Sequence, residues 1–140
     1  MADNIAAVEQ MYADFANGDV GAVLANFDER IEWHEAEGNP YWDDAPDIVG
    51  PQQVVEHVFA RIPQDYDGFT IHLNRLVGLG DTVLAEARYK GTGKATGLPL
   101  DAQVAHVWDF KDGKVVHWQQ YVDTAQLLSL IHISEPTRRS

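Results

Sequence analysis

A carboxylate on the apolar face of a strand is the feature of this sequence most suited to chemistry. In Arg30-Ile31-Glu32-Trp33-His34-Glu35 successive side chains point to opposite faces, so Ile31, Trp33 and Glu35 share one face and Arg30, Glu32 and His34 the other. Ile31 and Trp33 belong in a core. A carboxylate beside them must sit at a strand end, be paired, or face a cavity, because burying an unpaired charge is costly. Partial loss of solvent raises its pKa toward neutrality, which suits a general base. The plainer alternative is that the strand ends in solvent and Glu35 is its first wet residue.

Other chemistries find little support. The chain has no cysteine, which excludes disulfides, thiolate nucleophiles and Cys-based metal sites. His34, Glu35 and Glu37 lie close in sequence, but strand neighbours face opposite ways, and no His-Glu-x-x-His occurs on a helix. No metal and no cofactor are expected. Gly91-Thr92-Gly93-Lys94-Ala95-Thr96-Gly97 fits neither phosphate-loop nor dinucleotide spacing, and no helix follows, so it reads as a hairpin connection. A Gly-x-Ser-x-Gly elbow is absent. The net charge of −12 disfavours nucleic acid, and no basic cluster suits an anionic membrane. No apolar run approaches the roughly 20 residues needed to span a bilayer. Met1-Ala2-Asp3-Asn4 lacks the basic and apolar regions of a signal peptide, so a cytoplasmic protein is expected.

At 140 residues the chain suits one core. Asp3 or Asn4 is placed to cap a first helix, with Ile5, Val8, Met11, Tyr12 and Phe15 as its apolar stripe and Asn17-Gly18 as its stop. Asp19 caps a second, short helix carrying Val20, Val23, Leu24 and Phe27. Residues 36–50 read as a long loop, and Pro51 opens a third helix that Pro63 ends. His57 on that helix is expected exposed or half-buried. Strands follow over 69–79, 82–91, 98–110 and 115–122, the last two joined by a turn at Lys111-Asp112-Gly113. Helices followed by a meander give an α+β domain with a mostly antiparallel sheet over residues 1–128. Residues 129–140 include Leu-Ile-His-Ile-Ser-Glu-Pro-Thr-Arg-Arg, which looks like translated sequencing-adaptor read-through at the end of a metagenomic fragment. They are expected to be a non-native or irregular tail.

Ala-Asn-Gly-Asp at 16–19, Phe27 eight residues later, the Ile-Glu-Trp strand, Val49-Gly50-Pro51 and Asp112-Gly113-Lys114-Val115-Val116 occur in this order. Together they resemble the nuclear transport factor 2-like superfamily, and within it the SnoaL-like polyketide cyclases and ketosteroid isomerases. The resemblance implies a cone-like curved sheet wrapped over N-terminal helices around a pocket. It places the isomerase general base on Glu35. That enzyme's oxyanion hole uses a tyrosine and a protonated aspartate. Counted from the flanking motifs, these positions fall on Met11, with Tyr12 beside it, and on Ala105, so both donors are missing and a true steroid isomerase is disfavoured. The same counting turns Trp118 and Gln120 inward on the last strand, Gln103 inward on its partner, and Tyr89 inward on the strand before. Tyr89 and Gln120 are then the donors for a developing enolate. Asp123 lies near the stretch that carries the acid–base aspartate of the cyclases. Trp33, Tyr41, Trp42 and Phe59 complete the expected substrate-binding set, with Tyr41 and Trp42 folding back as a lid.

His106, Trp108, His117, Gln119 and Tyr121 are read on the opposite parity, as an outward patch suited to a homodimer. The expected function is cofactor-independent proton transfer by Glu35 on a small apolar carbonyl compound, of isomerase, cyclase or dehydratase type. The alternatives are a non-catalytic small-molecule binding module and a dimeric structural domain of the same fold.

Overall fold

The computed structural model describes residues 2–131. Helix α1 (Ala2–Ala16) buries Val8 and Met11 and ends before Gly18, whose φ of 77° suits glycine. It starts at Ala2, so Asp3 and Asn4 lie in its first turn rather than capping it. Asp19 accepts a hydrogen bond from the Ala22 amide at 3.1 Å and caps α2 (Val20–Leu24). Phe27 is not part of α2; it opens strand β1 (Phe27–His34) and is buried on the face of Ile31 and Trp33.

The segment read as a loop holds more order than its composition suggests. Asn39 caps α3 (Pro40–Asp44), and Ile48–Val49 forms β2, an antiparallel partner of β1. Pro51 opens α4 (Pro51–Val54), which continues as a π-helical turn over Val55–Phe59. Pro63 does not simply end this helix. It sits in the first turn of α5 (Ile62–Asp65), where its missing N–H costs nothing.

Strands β3 (Tyr66–Leu79), β4 (Thr82–Gly93), β5 (Pro99–Lys111) and β6 (Lys114–Val122) form the meander, and α6 (Thr124–Ile131) follows. The six strands make one curved sheet in the order β2-β1-β6-β5-β4-β3, with β1 and β6 parallel and every other pair antiparallel. Helix α1 packs on β3 and β4, α4 on β1, and α6 on β4 and β5. The inward face of the sheet and these helices enclose the core. Helix α6 runs past residue 128, and Leu127 and Leu130 are buried. Residues 132–140 of the expected tail lie outside the described residues. Among the described residues no helix is long and apolar enough to cross a membrane.

Candidate functional site

Alternation along β1 carries Ile31, Trp33 and Glu35 to the inward face, and Glu35, just past the strand end, is not wet. It is only 3% exposed. The Trp33 indole Nε1–H donates to its Oε2 at 2.7 Å, and Asn39 Nδ2 donates to its Oε1 at 3.1 Å. Asn39 is held by the helix it caps, because its Oδ1 accepts the Tyr41 amide at 2.9 Å. A backbone N–H can only donate, so this contact fixes the Asn39 amide with its NH2 toward Glu35. Asn39 Nδ2 also donates to Gln120 Oε1 at 2.9 Å, and Gln120 Oε1 accepts the Ala36 amide at 3.1 Å. Burial pushes the Glu35 carboxyl up to about 7, against smaller downward pulls from Trp33, Asn39, the Arg61 charge and Gln120. Among the described residues the carboxylate therefore has neutral donors and no contacting cation.

The cavity in front of Glu35 has a volume of about 70 Å³. That is room for several waters or a small ring compound. Its wall is apolar and aromatic, built from α1 (Met11, Tyr12, Phe15), the π turn (Val58, Phe59), β3 (Tyr66, Phe69, Ile71) and the inward faces of β1 and β4 to β6. Trp33 stacks on Trp118 with ring centroids 3.6 Å apart. Gln120 Nε2 donates to the Tyr89 hydroxyl at 2.9 Å. Tyr41 is buried in the wall, its hydroxyl donating to Asp65 at 2.7 Å under the Arg61 guanidinium, which lies 4.1 Å from the ring centroid.

The structure thus brings Glu35, Tyr89, Gln120, Met11, Tyr12, Trp33, Tyr41, Phe59 and Trp118 to one cavity. It leaves out Trp42, Gln103, Ala105 and Asp123. Trp42 lies against the outward His34 ring, with centroids 6.3 Å apart, so of the expected lid only Tyr41 reaches the wall. Asp123 is exposed and caps α6, accepting the Gln126 amide at 3.2 Å. Gln103 is exposed and Ala105 is half-buried on the outward face. His106 and Trp108, read as outward, are instead buried in the cavity wall at 2% and 4% exposure.

A β-bulge explains this reversal. An unbroken hairpin from the Asp112-Gly113 turn would set Val107 opposite Trp118 and Ala105 opposite Gln120. The ladder instead runs Phe110↔Val115 and then Asp109↔His117, with Val116 as the extra residue. Beyond it Trp108 faces Trp118 and His106 faces Gln120. A slip of one residue moves every side chain of the partner strand to the other face.

His106 completes a polar line. Its Nε2 is 2.6 Å from the Tyr89 hydroxyl and its Nδ1 is 2.5 Å from the Tyr12 hydroxyl. Trp108 Nε1–H donates to the same Tyr12 oxygen at 3.1 Å. Burial pulls the imidazole down to about 3 and pushes the Tyr12 and Tyr89 phenols well above their ordinary value, so all three are neutral at physiological pH. Asn39 and Tyr66 are further cavity residues not singled out in the sequence. For Asn39 a signal existed, since Asn before Pro40 is a helix-cap pattern. His34 faces outward, Glu35 inward, and Glu37 is exposed, so these three do not converge; among the described residues no three His, Asp or Glu side chains are grouped to hold a metal ion.

The sequence matches the family model of the SnoaL-like domain over residues 8–118. An NTF2-like protein from Burkholderia thailandensis E264 superposes with a TM-score of 0.85 at 34% identity, over 92% of this chain and 97% of that one. Two more distant structures share the fold. TerC, co-crystallised with polyporic acid, gives 0.79 at 23% identity over 91% and 97% of the two chains. A protein of ketosteroid isomerase-like fold from Catenulispora acidiphila DSM 44928, in complex with trimethylamine, gives 0.72 at 17% identity over 89% and 91%. No curated protein matches the sequence.

Proposed function

The chain belongs to the SnoaL-like domain family, and from that premise we propose that it performs cofactor-independent proton transfer, with Glu35 abstracting a proton from carbon beside a carbonyl of a small, mostly apolar compound. The observation that supports this best is the carboxyl of Glu35, buried against an aromatic cavity among neutral donors, where burial pushes its pKa up to about 7. A base at that pKa is half ionised at neutral pH and still basic enough to take a carbon-bound proton from an activated position. Isomerisation, aldol-type cyclisation and dehydration share this first step. The aromatic lining favours a planar or ring-bearing substrate of modest size.

A benzisoxazole, whose ring opens when one C–H proton is removed, tests the reading without knowledge of the substrate. Its rate with the protein should rise with pH and level off above an apparent pKa near 7. A rate simply proportional to hydroxide would rule Glu35 out as the base, and one already level near the pH of a free carboxylate would rule out its raised pKa.

One observation favours a second reading, that of a non-catalytic binding module. Both Glu35 oxygens are already engaged, by Trp33 and Asn39, as expected of a group that orients a ligand. Each oxygen keeps a further lone pair, so proton abstraction remains open to it.

We also propose a homodimer through the outward face of β5 and β6. With His106 and Trp108 turned inward, Ala105 and Val107 take their places beside His117, Gln119 and the 60% exposed Tyr121. Gel filtration at micromolar concentration should give a dimer, and Tyr121→Lys should shift it toward monomer. A wild-type protein that elutes only as monomer refutes the interface.

A further inference from the structure

Gln120 links the Glu35 end of the cavity to the line Tyr89–His106–Tyr12–Trp108, and the hydrogens along this line do not balance. Groups that can only donate fix its ends. The Gln120 atom 3.1 Å from the Ala36 amide must be Oε1, so Nε2 donates to Tyr89 Oη. The Trp108 indole donates to Tyr12 Oη. Between the phenols stands His106, with one contact from each ring nitrogen to a phenol oxygen. Each O···N contact takes one hydrogen. The two phenols and one neutral imidazole bring three. One hydrogen is always in surplus.

If the imidazole hydrogen is on Nδ1, it is donated to Tyr12, Tyr89 donates to Nε2, and the Tyr12 hydroxyl hydrogen has no acceptor in the line. If it is on Nε2, it is donated to Tyr89, Tyr12 donates to Nδ1, and the Tyr89 hydroxyl hydrogen is the one left over. The two arrangements differ only in the place of the imidazole hydrogen and the turn of the two hydroxyls. In either one, the phenol with the surplus hydrogen has its oxygen already accepting two hydrogen bonds. Both phenols line the cavity.

We propose that Tyr12 and Tyr89 are alternative donors to an oxygen atom of the bound ligand, and that the tautomer of His106 selects which of them presents its hydroxyl. The ligand class is a compound carrying a carbonyl, enolate or phenolate oxygen. In its chemical part the inference rests on the proton-transfer reading above, where that oxygen gains charge as the carbon loses its proton. The arrangement replaces the expected tyrosine and aspartate pair with two tyrosines joined by a histidine.

Binding of a dinitrophenol, followed by its absorption spectrum at a pH below the Glu35 pKa of about 7, tests this without turnover. Tyr12→Phe and Tyr89→Phe should each keep affinity within about 5-fold, because the surviving phenol takes over the surplus hydrogen. The double variant should lose on the order of 100-fold, the weight of a hydrogen bond to a charged oxygen. The ¹⁵N resonances of His106 supply a second readout that a merely structural role would not move. With ligand bound, Tyr12→Phe should hold the Nε2–H tautomer and Tyr89→Phe the Nδ1–H tautomer. A single variant as weak as the double, a double variant within about 3-fold of wild type, or the same tautomer in both single variants overturns the proposal. Loss of the proton-transfer reading is seen separately, as an unchanged benzisoxazole rate in Glu35→Gln.

Discussion

Glu35→Gln should lower the rate of benzisoxazole ring opening by about 10³-fold, within the usual contribution of a positioned general base. The size follows from what remains in the cavity without it. Tyr12, Tyr66 and Tyr89 have pKa values raised by burial, and His106 is held neutral with both nitrogens committed. None of these is a free base of suitable strength. The glutamine keeps the volume and polarity of the side chain, so affinity for an uncharged apolar ligand should stay within a few-fold. A variant that keeps more than a tenth of the wild-type rate would mean that another group, or solvent hydroxide, takes the proton.

The same substitution should reverse in its effect on stability as pH rises. The folded-state pKa of Glu35 lies above the ordinary carboxylate value of 4.5, at about 7. Its folded state therefore holds the proton more tightly than the unfolded chain does. The associated stability is fully present below about pH 4.5 and is lost as pH rises through about 7. The difference of about 2.5 pKa units corresponds to about 3 kcal/mol, with no discount for solvent because the group is buried. Glutamine does not titrate, so denaturant midpoints across this range should show the variant gaining about 3 kcal/mol on wild type. A constant offset is expected beneath this gain. Trp33 and Asn39 each donate to one Glu35 oxygen, and a glutamine NH2 must meet one of those donors, at about 1–3 kcal/mol. The variant should be the weaker protein in acid and equal or stronger in base. A difference independent of pH would show that Glu35 titrates like an exposed carboxylate.

Legibility of the fold depended on where regular periodicity was left undisturbed. The apolar stripe of α1 and the alternation of β1 are uninterrupted, so the helix and the inward face of Glu35 could be read directly. The long segment after Glu35 hid a helix of five residues, because Gly, Pro, Asp and Asn serve as caps as well as loops. Its cap, Asn39, supplies a hydrogen bond to Glu35, and only the folded chain shows that contact. Phe27 fits a helical stripe by spacing, yet opens a strand, since the short α2 ends at Leu24. Asp123, expected near the acid–base position of the cyclases, is instead exposed and caps α6. The pairing of Tyr12 with His106 was the largest miss. Tyr12 is the neighbour of the position where a tyrosine was sought, and His106 is the neighbour of Ala105, where an aspartate was sought. On β5 the cause is Val116, in a Val-Val-His run that carries no glycine to signal a bulge.

That extra valine makes the polar wall of the cavity depend on chain length as well as on composition. Removing one residue at Val116, with no letter changed elsewhere, would restore the plain hairpin register and set Ala105 and Val107, rather than His106 and Trp108, against Gln120 and Trp118. In evolutionary terms, a single codon inserted or deleted at this corner can exchange a donor-rich wall for an apolar one in one event. Relatives that differ there have to be aligned with a gap beside the turn. Without it, roles assigned along this strand land on the residue next door, on the outside of the sheet.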